Sequence, residues 1–305
     1  MTRLHQAAKD YLTLRRRMGY RLTQDGKRLL EFVEFLGKQG QTRITVENAL
    51  AWAQGAVSGI SAARRLSVVR GFAQFRQLTD ARTQVPAKDL LPNRPRRLTP
   101  YIYSSEDVRV LMRATEMLRG RLMRSTYSTL FGLLAATGMR VGEATALERD
   151  DFDAVAGVLR VLKGKEGSLR RLPLHATTSD ALSAYARRRD RVFRDPRSST
   201  FFLSEAGTAL LRQNVHETFL RLIDRAGLAD RKPRRPRIHD LRHSFAVHTM
   251  TDWYRASRDV EHLLPRLSAY LGHVSPVSTY WYLTGTPTLL SGPALRLERQ
   301  MRRST

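Results

Sequence analysis

Four prolines set the plan of this chain. Residues 86–100, PAKDLLPNRPRRLTP, hold Pro86, Pro92, Pro95 and Pro100 and show little hydrophobic periodicity. A proline has no backbone N–H to donate and turns the residue before it away from helical angles, so such a stretch carries neither a long helix nor a central strand. It reads as a linker between domains. The expected organisation is a helical domain over 1–90, a linker over 91–103 and a larger domain over 104–305. A length of 305 residues is ample for two cores. The proline-rich stretch is also basic, with Lys88, Arg94, Arg96 and Arg97.

Ahead of it, apolar residues recur at helical spacing. Tyr11, Leu12, Leu14 and Met18 predict a first helix ended by Gly19, and Leu29, Leu30, Phe32, Val33 and Leu36 a second followed by Gly37. Thr45 is placed to cap a short third helix through Trp52. Leu66, Val69, Phe72, Ala73 and Phe75 mark a fourth. Its other face carries Arg64, Arg65, Arg70 and Arg76, and reads equally as a solvated basic face or as a helix laid against DNA phosphates. Beyond the linker, Ser104 with Asp107 fits a capping box, and Tyr127, Leu130, Phe131, Leu133 and Leu134 an apolar helix stopping at Gly138. The period then changes. Residues 157–162 and 169–172 look like two short strands, with Gly164 and Gly167 between them, and predict a hairpin. Helical patterns return over 177–190, 211–226, 239–252, 259–271, 276–283 and 288–300. The fold class is therefore mainly α with a small antiparallel β-sheet in the second domain.

Charge supplies the first functional constraint. Against 28 Asp and Glu stand 53 Lys and Arg, a formal net charge of +25 spread through both halves. Such an excess belongs to proteins that meet polyanions. Only seven of the cations are lysine, and the guanidinium fork matches phosphate oxygens. A GC-rich genome would explain the Arg-to-Lys ratio but not the net charge. The absence of cysteine excludes disulfides, thiolate metal sites and cysteine nucleophiles. With no run of about 18 apolar residues and no apolar export signal at the start, a membrane partner is not expected and a cytoplasmic location is.

Five segments could carry chemistry. In ATGMRVGEA, Arg140 opens a helix with Glu143 three residues on, spaced to hold the guanidinium. In KGKEGSLRRLPL, Lys163 and Lys165 sit at the hairpin tip, and strand parity does not choose between them. In RIHDLRHSF, His239 and Arg242 share a helical face and could hold one phosphate from adjacent directions. His239 and His243 also stand at the spacing of a zinc helix, but Asp240 replaces the usual Glu, Arg242 would bring a cation beside the metal, and no third ligand is evident. Gly272 fits a position just past a helix end, leaving His273 beyond it. Ser275 with Pro276 is a good helix start, placing Tyr280 and Tyr282 nearby. Singly, each of these residues is as readily structural as functional.

Taken in order, Arg, Lys, His-x-x-Arg, His and Tyr resemble the catalytic set of the tyrosine recombinases, the phage integrase-like family. The resemblance covers about 100–290, and the N-terminal helices are more weakly similar to the family's core-binding domain. TGMRVGEATAL resembles the segment bearing the family's first active-site arginine, Arg140. GKEGSLRRLPL resembles its hairpin, whose lysine stands eight residues before the proline, which points to Lys165. HDLRHSFA is similar to the H-x-x-R box and gives His239 and Arg242. LGH gives His273, and the family nucleophile nine residues later is Tyr282, not Tyr280. The hairpin departs from the family in Leu169, where a polar residue is usual. TYWYL and TPTLL resemble a mobile-element subgroup, some of whose members are encoded beside sister recombinases.

The resemblance implies a helical core-binding domain and an α+β catalytic domain closing on double-stranded DNA as a C-shaped clamp. It implies that Tyr282 attacks a phosphodiester, that a 3′-phosphotyrosine forms, and that the partner is a tetramer of this chain or of sister recombinases on DNA. No cofactor is implied. Arg140 and Arg242 would neutralise the phosphate, His239 accept the tyrosine proton, Lys165 protonate the leaving 5′-oxygen, and His273 hydrogen-bond a non-bridging oxygen. Arg64, Arg65, Arg70, Arg96 and Arg97 are the candidate DNA-backbone contacts. The alternatives are a type IB topoisomerase-like relaxer and a DNA-binding accessory protein without catalysis, with a zinc hydrolase a distant third.

Overall fold

Helices form wherever the apolar spacing repeats every three or four residues. The computed structural model describes residues 3–20, 22–91, 99–163 and 168–272, and divides into two compact units, Met1–Arg97 and Leu98–Thr305. The first unit holds α1 (Arg3–Arg17), α2 (Thr23–Lys38), α3 (Val46–Gln54) and α4 (Gly59–Gln77). Leu4, Ala8 and Leu12, four residues apart, are the buried face of α1. Leu14, expected on that face, is exposed, as is Met18 past the helix end. Two residues along a helix is about 200° of rotation, so Leu14 cannot share the Leu12 face. Gly37, expected to follow α2, lies inside it, and the left-handed glycine is Gly40. Thr45 does cap α3, accepting from the Asn48 backbone. Leu29, Phe32, Leu36, Leu66, Val69 and Phe72 close this core. A fully buried Phe32 or Phe72 contributes about 1.5–3 kcal/mol by leaving water.

The second unit begins with α5 (Ser105–Ala114), where Ser104 and Asp107 form the expected capping box. A short 3-10 turn leads to α6 (Arg121–Thr137). Leu122, Tyr127, Leu130, Phe131, Leu133 and Leu134 bury α6 almost all round, which makes it the central helix of this unit. Gly138 then adopts φ 61° and stops it. The single turn α7 (Val141–Ala144) follows, then a 3-10 turn and the strands β1 (Phe152–Asp153), β2 (Val158–Lys163) and β3 (Ser168–Pro173).

The sheet is antiparallel in the order β1-β2-β3. At two residues, β1 is too short to show a period, and it was not expected. Leu159 pairs with Leu172, and Val161 with Arg170. Leu159, Val161 and Leu172 are buried, whereas Leu162 and Leu169 are exposed. Parity therefore puts Arg170 on the core side of the sheet.

The chain continues as α8 (Ala176–Val192), α9 (Arg212–Arg225), α10 (Asp240–Arg255) and α11 (Val260–Leu271). Helices α5, α8 and α10 pack on α6. A separate apolar cluster of Ala246, Val247, Met250, Val260, Leu264, Leu267 and Leu271 joins α10 to α11. Among the described residues no helix is long and apolar enough to cross a membrane. The helices expected over 276–283 and 288–300 lie outside the described residues.

Candidate active site

The C-terminal ends of α6 and α11 meet in the second unit, and arginines hold them together. The left-handed Gly138 exposes its carbonyl at the C-terminus of α6, and Arg242 Nη1 donates to it at 2.8 Å. Arg242 Nη2 donates to the Leu271 carbonyl at the end of α11, at 2.9 Å. Both acceptors lie at helix C-termini, where the backbone dipole is negative, so a buried cation is favoured there. Arg242 is 2% exposed, and this bonding is what allows a charge to stay buried.

Arg140 arrives from the other side. It forms the N-cap position of α7, and its backbone N–H donates to Glu143 Oε2 at 2.9 Å. Its Nη1 donates to Glu143 Oε1 at 2.8 Å and its Nη2 to the Gly272 carbonyl at 3.3 Å. The arginine–glutamate spacing read from the sequence is thus a formed ion pair. The consecutive carbonyls of Leu271 and Gly272 are held by Arg242 and Arg140, so the chain leaves α11 from a fixed point. Gly272, at φ 70°, is the helix-ending glycine that was expected.

His239 stands at the N-terminal boundary of α10 rather than within it. The turn before it is fixed by Asp240, fully buried, which accepts from the Arg237 backbone at 2.9 Å and from Arg237 Nη2 at 2.7 Å. Burial pushes the His239 imidazole below its ordinary value. Arg242, Arg237 and Arg140 lower it further, against the opposing pull of Asp240. His239 stands one turn before Arg242, and Arg242 and Arg140 hold adjacent carbonyls, so the three groups share one neighbourhood. The His243 ring meets His239 edge to face at 4.9 Å and is pushed down to about 4, first by burial and then by His239. A neutral imidazole can accept a proton at neutral pH, so His239 has the chemistry of a general base. Among the described residues no cluster of three or more His, Asp or Glu is disposed to hold a metal.

Of the six expected site residues, Arg140, His239 and Arg242 are brought together. Lys165, His273 and Tyr282 lie outside the described residues. So do Arg96 and Arg97 of the candidate DNA contacts. Arg64 pairs with Asp25, and Arg65 donates to the Trp52 carbonyl at 3.2 Å with its guanidinium over the Trp52 ring. Arg70 donates to the carbonyls of Pro86, Ala87 and Lys88 at 2.9, 2.6 and 3.0 Å, tying α4 to the segment that follows. Sequence reading missed Arg170, which joins Glu143 opposite Arg140. Its signal was the alternation with Leu172, masked by the exposed Arg171 beside it.

Comparison with known proteins follows the same outline. The phage integrase family model matches residues 103–287. The y4rB protein of Sinorhizobium fredii strain NBRC 101917 / NGR234, which carries an integrase/recombinase name, is 42% identical over 309 residues, spanning 98% of each chain. Tyrosine recombinase XerD of Mycobacterium tuberculosis strain CDC 1551 / Oshkosh is 32% identical over 247 residues, 79% of this chain and 73% of that one. Among solved structures, the XerH site-specific recombinase in a post-cleavage complex with palindromic difH substrate superposes with a TM-score of 0.67 at 19% identity, covering 90% of this chain and 78% of that one. That likeness concerns the fold.

Proposed function

Since this chain belongs to the phage integrase family and is a tyrosine-type site-specific recombinase, we propose that it moves or rearranges a mobile DNA element through a 3′-phosphotyrosine intermediate, with Tyr282 as nucleophile. The observation that carries the reading is the convergence of Arg140 and Arg242 on the consecutive carbonyls of Gly272 and Leu271, with His239 one helical turn before Arg242 at the start of α10. His273 follows that anchor directly, and Tyr282 stands nine positions after His273.

A phosphodiester repels nucleophiles by its own charge. Two guanidiniums fixed before the reaction offset that repulsion and favour the more highly charged transition state. The Tyr282 oxygen attacks phosphorus as its proton passes to His239. The bond from phosphorus to the 5′-oxygen breaks, and Lys165 protonates the leaving oxygen. His273 hydrogen-bonds a non-bridging oxygen. The 5′-hydroxyl of a second strand then reverses the attack, so the bond energy is kept and no cofactor is consumed. Two duplexes need four such cleavages, which calls for a tetramer on DNA, of this chain alone or with sister recombinases. The first unit serves as the core-binding domain on double-stranded DNA, and the net charge of +25 supports that role. The same reading places the protein in the cytoplasm, together with its DNA.

The test is a denaturing gel of labelled supercoiled plasmid incubated with wild type and with Tyr282→Phe, in EDTA. A protein–DNA adduct present only in wild type is expected. An adduct that persists in Tyr282→Phe would transfer the nucleophile to another residue, with Tyr280 first in line. Cleavage without any adduct, appearing only in a parallel reaction that lacks EDTA, would revive a metal-dependent hydrolase.

A further inference from the structure

Arg170 has no part in the strand-transfer scheme above, yet it is built into the centre of the site. It lies on β3 opposite Val161, on the face shared with the buried Leu159 and Leu172. A guanidinium on the core face of a sheet requires a partner. That partner is Glu143. Arg170 Nη2 donates to Oε2 at 2.8 Å and Nη1 to Oε1 at 3.2 Å, with side-chain exposures of 11% and 12% for the two residues.

Glu143 is thereby shared. Each carboxylate oxygen receives one donor from Arg140 and one from Arg170. Burial alone pushes this carboxyl up. Hydrogen bonds from Arg170 and Arg140, with the charge of Arg170, outweigh burial and keep it below the usual range, hence ionised. One carboxylate between two guanidiniums leaves a net positive charge. Without Arg170, Glu143 would neutralise Arg140 and could rotate with it.

Two further contacts extend the reach of Arg170. Its Nε is buried without a hydrogen-bond partner, so the side chain is held at a cost rather than merely solvated. Its guanidinium also fills the space where a side chain at residue 272 would stand. A side chain there would have to displace the Arg170 guanidinium besides adopting a positive φ, and the Gly272 carbonyl is the one Arg140 holds.

We propose that Arg170 is the positioning residue of this site: it grips Glu143 from the hairpin strand, and so holds Arg140 aimed and the cluster net positive, with Gly272 seated beneath it. This rests on the recombinase reading for what Arg140 does, but the placement of Arg140 is a separate matter and can be tested separately.

The experiment combines kinetics with a structural signal. Adduct formation on a labelled supercoiled plasmid carrying the DNA that adjoins this reading frame is timed at saturating protein, and DNA affinity is measured apart. Arg170→Ala is expected to slow adduct formation about 10–100-fold, the scale of a misplaced catalytic group, with DNA affinity held within about twofold. Arg170→Lys, which keeps the charge but not the fork, is expected to recover most of the rate. In an Arg140→Lys background the added Arg170→Ala is expected to cost under about threefold, because residues acting as a unit are not additive. Equal losses in both backgrounds, weakened DNA binding at an unchanged rate, or no loss at all would overturn the proposal.

The second arm needs no catalysis. In guanidinium NMR of the full chain, the signal that Arg140→Lys removes identifies Arg140. Hindered rotation of that group in wild type, released in Arg170→Ala and retained in Arg170→Lys, is the expected result. Unchanged dynamics would refute the positioning role. Should wild type form no adduct, the recombinase mechanism fails while this arm still decides Arg170.

Discussion

Arg242 donates to the carbonyl of Gly138 at 2.8 Å, joining a helix to the end of another that lies 104 residues earlier in the chain. The bond makes one guanidinium serve two purposes, since the group proposed to meet the phosphate also fastens two helix termini. Arg242→Ala is therefore expected to lose stability as well as activity. Two buried carbonyls, of Gly138 and Leu271, would be left without that donor, at about 1–3 kcal/mol each. Denaturant unfolding beside the adduct assay checks this. Full stability with lost activity would confine Arg242 to catalysis.

Gly138 accepts that bond because it is left-handed. A methyl group there would stand 2.6 Å from Phe245 Cδ1 and 2.9 Å from Leu271 Cδ2, at a φ that alanine disfavours. Gly138→Ala is expected to destabilise the second unit by about 1–3 kcal/mol and to slow adduct formation through displacement of Arg242. The denaturation midpoint and the adduct rate report the two effects.

Acid should weaken the fold through His243. Its folded value of about 4 lies below the ordinary imidazole value, so the unfolded chain binds the extra proton first. Stability is then full above about pH 6.5 and falls as the pH drops toward 4. At pH 4.5 the loss from this group is on the order of 2–3 kcal/mol. His243→Gln is expected to flatten that part of the stability–pH curve, measured by urea unfolding at a series of pH values. An unaltered slope would exclude His243 as the source.

The same logic applies to rate through His239. A base depressed below its ordinary value stays neutral at pH 7. Adduct formation by wild type is expected to be flat through neutrality and to decline only below the usual histidine range. The single-turnover pH profile tests this, and a decline centred above pH 7 would remove His239 as the base.

Arg70 gives a contrast with a phosphate contact. With three carbonyls of residues 86–88 on its guanidinium, Arg70→Ala is expected to destabilise the first unit by about 1–3 kcal/mol. The salt dependence of DNA binding should not change. A slope reduced by about one, as for a lost phosphate contact, would show that Arg70 reaches DNA.

How much of this was legible beforehand depends on distance in sequence. The Arg140–Glu143 pair, the Ser104 cap and the helix-ending Gly138 and Gly272 are local events, governed by three- and four-residue spacings, and they were readable. The H-x-x-R box located the site but put His239 inside α10, where the buried Asp240 instead makes it the boundary residue. Arg70 looked like one more cation on a basic face because its partners lie 16–18 residues on, beyond any helical period. Arg170 was hidden differently. Its inward direction follows from the buried Leu172 two residues later, but a doubled arginine on a short strand masks that parity until β2 supplies Val161 opposite.

One property of the anchor at α11 bears on inheritance. The oxygens that Arg242 grips belong to the peptide backbone, and no codon change at residues 138 or 271 deletes a carbonyl. Only a change in chain path does. Descendants of this sequence can exchange one apolar side chain for another along α6 and α11 without touching that grip, so long as the cores stay filled and the turns stay left-handed. Insertion or deletion is another matter. One residue gained or lost between Gly272 and Tyr282 alters the count of residues from a fixed anchor to the proposed nucleophile, so the selective boundary of this site is drawn in length as well as in letters.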